Sequence, residues 1–158
     1  MKTGAEILHT AVITAEGKRT GSVVDLLFDD DCRRVLALVV EAGLVFRDPR
    51  VISFDDVRIF GPDVVTLDAG ARGGRLMRDD DTDALRSGSA MHGRPVVSAR
   101  GRYVGPIADV LFDEHTGRVL GFEVASQPGP GKRWRRTGLP ADLTPVVAGD
   151  RVLLSSTA

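Results

Sequence analysis

Residues Val23–Asp31 read "VVDLLFDDD" and residues Ile107–His115 read "IADVLFDEH", one pattern set down twice. Gly21 and Gly105 stand 84 positions apart, and that offset, applied without a gap, pairs identical residues along both halves of the chain. It matches Val12 with Val96, Ala15 with Ala99, Gly17 with Gly101, Asp25 with Asp109 and Phe28 with Phe112. It continues through Asp29 with Asp113, Arg34 with Arg118, Val35 with Val119 and Val40 with Val124. A unit this long, present only twice, is a duplicated domain and not a solenoid array. The boundaries that follow are 1–72 for the first copy, a Gly/Arg/Asp-rich linker over 73–90, and 91–158 for the second.

Within each copy the signals are those of strands. "AVITA" and "PVVSA" are short β-rich runs, each followed by a glycine-containing turn before the long repeated strand begins. In the second copy "DEHTGR" forms a hairpin connection in which Gly117 can take a positive φ. The first copy has "DDDCRR" instead, which predicts a different or slightly strained turn at Arg33, or an Asp in the left-handed position. Later, "RVISFDDVRIFGPDVVTLD" and "GLPADLTPVVAGDRVLLS" each give a half-turn followed by two brief strands. Five or six short strands per copy, with no long helix, predict an all-β fold of two small antiparallel β-barrels in tandem.

Composition excludes several classes. Cys32 is the single cysteine, so no internal disulfide forms and no Cys/His spacing suggests zinc. Glu6 and His9 interrupt the apolar core a signal peptide needs, and no apolar run approaches the roughly 20 residues that span a bilayer. A soluble, cytoplasmic protein is expected. The net charge of −1 hides an asymmetry. Residues 1–72 carry nine Lys+Arg against twelve Asp+Glu, 73–90 three against four, and 91–158 nine against six, so the segments are net −3, −1 and +3.

Asp25 and Asp109 interrupt otherwise apolar strands. They are either acids for metal or proton work or structural acceptors for backbone N–H groups at a bulge, and the lack of a His, Cys or Lys partner favours the second. In the next strand, alternation assigns Leu36, Leu38 and Val40, with Leu120, Phe122 and Val124, to the barrel interiors. The opposite face, Val35, Ala37 and Val39 with Val119, Gly121 and Glu123, is too apolar for water. It is predicted to pack barrel against barrel with approximate two-fold symmetry, as a covalent version of a homodimer; the other reading is that the strand lies under its own loop.

Asp79, Asp81 and Asp83 mimic the opening of a calcium-binding loop, but Ala84 and Ala90 stand where a glycine and a glutamate are needed, so a solvated linker is expected. In "GPGKRWRRTG", Lys132, Arg133, Arg135 and Arg136 surround Trp134, an arrangement that can hold phosphates and stack on a base. Phe46 and Arg47 stand at the matching connection of the first copy, so Trp134 covering its own barrel is the competing reading. His9, His92 and His115 lie in separate segments without a Ser or Cys nucleophile beside them, and no glycine-rich phosphate loop appears. No enzymatic activity, metal or cofactor is expected.

The stretches "GSVVDLLFDDDCRRVLALVV" and "ISFDDVRIFGPDVVTLD", with "GRYVGPIADVLFDEHTGRVLGFEV" and "LPADL" in the second half, resemble the PRC-barrel domains. That family takes its name from the H subunit of the photosynthetic reaction centre and includes a ribosome maturation factor. The resemblance implies two barrels of about six strands, filled by side chains alone. It also implies a docking module for protein or ribonucleoprotein partners, without chemistry of its own. The expected function is therefore binding of a protein partner, as a monomer or dimer. The alternative is RNA or ribosome binding through residues 132–136, and small-ligand binding between the barrels would require a sizeable lined cavity there.

Overall fold

The computed structural model describes residues 1–43, 48–80, 86–98, 100–126, 130–131, 133, 135–140, 145–148 and 151–154. In the first copy β1 (Lys2–Thr3) leads into one helical turn, α1 (Gly4–Ile7), followed by β2 (Ala11–Ile13), β3 (Arg19–Phe28), β4 (Val35–Ala42) and β5 (Asp48–Ser53). A 3-10 turn (Phe54–Asp56) then carries the chain into β6 (Val57–Phe60), β7 (Val64–Leu67) and β8 (Arg75–Leu76). The series then repeats, beginning inside the segment read from sequence as the linker and continuing through the second copy: β9 (Arg86–Ser87), α2 (Gly88–Met91), β10 (Pro95–Val97), β11 (Tyr103–Phe112), β12 (Val119–Ser126), β13 (Arg135–Pro140), β14 (Pro145–Ala148) and β15 (Arg151–Leu154).

The first barrel orders its strands β6-β7-β2-β3-β4-β5-β8 and the second β14-β15-β10-β11-β12-β13. Neighbours run antiparallel except the closing pairs, β2 with β7 and β10 with β15, which are parallel. In the first barrel the 3-10 turn passes β5 into β6 without reversing the chain, so β7 returns in the direction of β2. Gly21 and Gly105 are fixed by close approach of the long strands. A Cβ on them would lie 2.3 Å from the Glu41 carbonyl oxygen and 2.0 Å from that of Ala125.

Each long strand pair contains two bulges, and they alter which side chains face inward. Val24 and Ala108 are the extra residues on β3 and β11, and Leu36 and Leu120 those on β4 and β12. The interior assignment of Leu36 and Leu120 is thereby corrected: Leu36 is half-buried and Leu120 is 37% exposed, while Val35 and Val119 turn into the core. The β3–β4 turn differs from its counterpart in the second copy, as the missing glycine predicts, but the residue expected in the left-handed position is corrected. Neither Arg33 nor an Asp takes the left-handed position; Cys32 does, at φ 55°, with its thiol side chain buried in the core. The turn there is tighter, with Cys32 N–H donating to the Asp29 carbonyl at 2.9 Å, whereas in the second copy Gly117 reaches the Asp113 carbonyl from one residue further on, at 2.8 Å.

The copies exchange their first strands. β1 pairs with β11 through Lys2↔Phe112 and Thr3↔Leu111, and β9 pairs with β3 through Arg86↔Phe28 and Ser87↔Leu27. Every partner in one pair is the other's partner moved by the 84-residue offset. The hairpins also meet: Arg34 bridges Arg118, Val35 N–H donates to the Gly117 carbonyl at 2.8 Å, and Val119 N–H to that of Arg33 at 2.7 Å. Because Arg34 bridges its own counterpart, the approximate two-fold axis passes between them. One hydrophobic core extends through both barrels. Phe54 and Phe60 of the first copy hold Phe112 of the second at ring separations of 6.4 and 5.8 Å, in edge-on contacts.

Candidate functional site: a groove on the two-fold axis

The helical turns α1 and α2 expose backbone N–H groups at their starts, and acids from the opposite copy accept them. Asp25 Oδ1 accepts the N–H of Leu26 at 2.8 Å and of Ser89 at 3.0 Å, while Oδ2 accepts the Ser89 hydroxyl at 2.7 Å. Asp109 Oδ1 accepts the N–H of Val110 at 2.8 Å and of Ala5 at 3.2 Å. The bulges at Val24 and Ala108 aim both carboxylates at these donors. Thr3 and Glu6 complete a capping box on α1.

Between the two aspartates lies a groove of about 450 Å3. Its walls come in pairs at the repeat offset, Val24 with Ala108, Asp25 with Asp109, Leu8 with His92, so the groove straddles the two-fold axis. The lining is mainly apolar, with Met91 and Ile107 at its sides. Arg136 from β13 joins it and bonds Glu123 at 3.3 Å, which breaks the symmetry. Sequence reasoning missed this groove because its lining converges only when β1 and β9 cross over.

The predicted residues are placed as follows. Val35 and Val119 flank the two-fold axis, inside the shared core. Ala37 and Val39 instead form a separate cluster with Leu27 and Val51, and Met77, which follows β8, packs against it. This face of β4 is thus covered by the chain's own linker segment. Gly121 is buried and pairs with Leu111 and Pro140. Of the basic cluster, Arg133, Arg135 and Arg136 are exposed, and Lys132 and Trp134 lie outside the described residues. Phe46, Arg47, Asp81, Asp83 and Ala84 also lie outside them.

Among the described residues no group of three or more His, Cys, Asp or Glu side chains could hold a metal ion. His92 lines the groove, while His9 and His115 stand on separate turns. Asp113 has its carboxyl held below the usual aspartate range by N–H donors from Thr116 and His115, which it accepts at 2.9 Å each. The sign is that of a depressed acid: its support for the hairpin is present above the ordinary aspartate pKa and is lost as pH falls through the lowered one. No helix among the described residues is long and apolar enough to cross a membrane.

The strand order, the repeat and the groove define a tandem pair of small barrels fused about a two-fold axis. The family model of the PRC-barrel domain matches residues 1–73 and again 85–158. The chain belongs to the PRC-barrel family. A search of curated proteins gives no match.

Proposed function

We propose that the protein is a non-enzymatic docking module for a protein partner, which presents an apolar side chain to the groove on the two-fold axis. The supporting observation is the state of the groove's polar groups. Both carboxylates are engaged by backbone donors and Arg136 by Glu123, so the groove offers apolar surface and shape without a free acid–base pair. Shared core and exchanged strands make the two barrels one rigid support, which keeps the ordering cost of docking low.

The volume of the groove favours a second reading, an apolar small molecule in the same place. A third, RNA held by the exposed Arg133 and Arg135, differs in its salt dependence. Affinity capture from lysate, with and without nuclease, separates them when run beside Ala108→Arg and Arg135→Ala. The expected result is a discrete protein that survives nuclease and is lost with Ala108→Arg alone. Retained RNA that disappears with Arg135→Ala overturns the reading.

A further inference from the structure

A second concavity, of about 620 Å3, lies on the first barrel where three segments converge. The β2–β3 turn brings Lys18 and Arg19, β5 brings Arg50, and the β7–β8 loop brings Arg72. Among the described residues Glu16 is the only acid in the lining. None of the four cations is ion-paired among the described residues. Two are oriented by neutral groups: Arg50 Nη1 donates to the Gly74 carbonyl at 3.3 Å, and Arg19 Nη2 to the Ser22 hydroxyl at 3.1 Å.

The second copy is an internal control. Its β10–β11 turn closes with the same bonds, Ser98 N–H to the Arg102 carbonyl at 2.8 Å where the first copy has Thr14 to Lys18, also at 2.8 Å. Yet Tyr103 stands where the first copy has Arg19. Thr137, opposite Val124, holds the register position that Arg50 holds opposite Val40. The second barrel therefore closes without the cations of Arg19 and Arg50, while Arg102 keeps the charge of Lys18, and gathering the extra guanidinium groups in the first copy costs like-charge repulsion that folding does not require.

We propose that this concavity binds a small, multiply charged phosphate, free or carried on a nucleoside or sugar. Guanidinium groups match phosphate oxygens two at a time, and convergent cations in a concave wall focus the field on a polyanion. Thr14 and Thr20 line the same space. This site is separate from the groove on the two-fold axis, and it stands or falls without reference to docking there.

The test is calorimetric titration of the full chain with inorganic tripolyphosphate and, in a parallel arm, with adenosine triphosphate. Saturable one-to-one binding is expected, weakening as salt screens the charges. Arg72→Ala, on an exposed loop, should lower affinity about tenfold, and Arg50→Lys should lower it less than Arg50→Ala because charge remains while the fork is lost. Arg102→Ala, at the matching turn of the second copy, should leave it unchanged. Tighter binding of the nucleotide assigns the phosphate to a carried form, and equal binding to the free one. Failure to saturate at millimolar tripolyphosphate, or equal losses with Arg72→Ala and Arg102→Ala, overturns the site. So does an oligouridylate that binds through Arg135 while tripolyphosphate does not bind.

Discussion

Asp25 and Asp109 do their work across the boundary between the copies. Replacing Asp25 with Ala leaves the N–H groups of Leu26 and Ser89 without their acceptor, at a cost of ~1–3 kcal/mol. The distinctive expectation is positional: hydrogen exchange should quicken at Ser89 for Asp25→Ala and at Ala5 for Asp109→Ala, each in the copy that was not altered. Quickening confined to the mutated copy would count against the crossed caps. A structural role for these acids was legible from an isolated carboxylate in an apolar strand. Their cross-copy partners were not, because Ala5 and Ser89 lie 104 and 64 residues away in sequence and no local pattern points to them.

At the scale of elements, the hairpins that meet on the two-fold axis are related but not equivalent. Gly117 has φ 72°, and a Cβ there would lie 2.7 Å from the Val35 carbonyl oxygen that faces it across the axis. Gly117→Ala should therefore cost roughly 2 kcal/mol in urea denaturation, through both the left-handed backbone and the crowded bridge. Arg33→Ala, at the matching place, should stay within about 0.5 kcal/mol, because Cys32 carries the positive φ in that turn. An equal loss at both positions would contradict this division. Strand identity was legible from alternation and turn glycines. The bulges were not, since an inserted residue such as Leu36 or Leu120 looks like one more apolar position until its partner strand fixes the register. Two-residue strands such as β1 and β9 carry no period to read.

For the molecule as a whole, a common core means that the barrels cannot unfold separately. Leu38→Ala, at a fully buried site in the first copy, should cost ~2–5 kcal/mol. The same loss should be reported by hydrogen exchange at β11 and β12 of the second copy, and circular dichroism should follow in one coincident transition. Two resolved transitions would show that the exchange adds little coupling. The 84-residue offset made the duplication and the barrel class legible, because glycines, turn acids and apolar alternation are local features. The cation-lined concavity was illegible for the opposite reason: Lys18, Arg19, Arg50 and Arg72 come from three segments far apart in sequence and meet only in the folded barrel. The crossing of β1 and β9 also orders events during synthesis. The first barrel leaves the translation machinery with the end of β3 still uncovered, and it stays so until Arg86 and Ser87 have emerged to complete it. At about 5–20 residues per second that interval lasts seconds, during which the backbone edge at Leu27 and Phe28 is open to other strands, and a chain halted before Arg86 has no means of closing the gap.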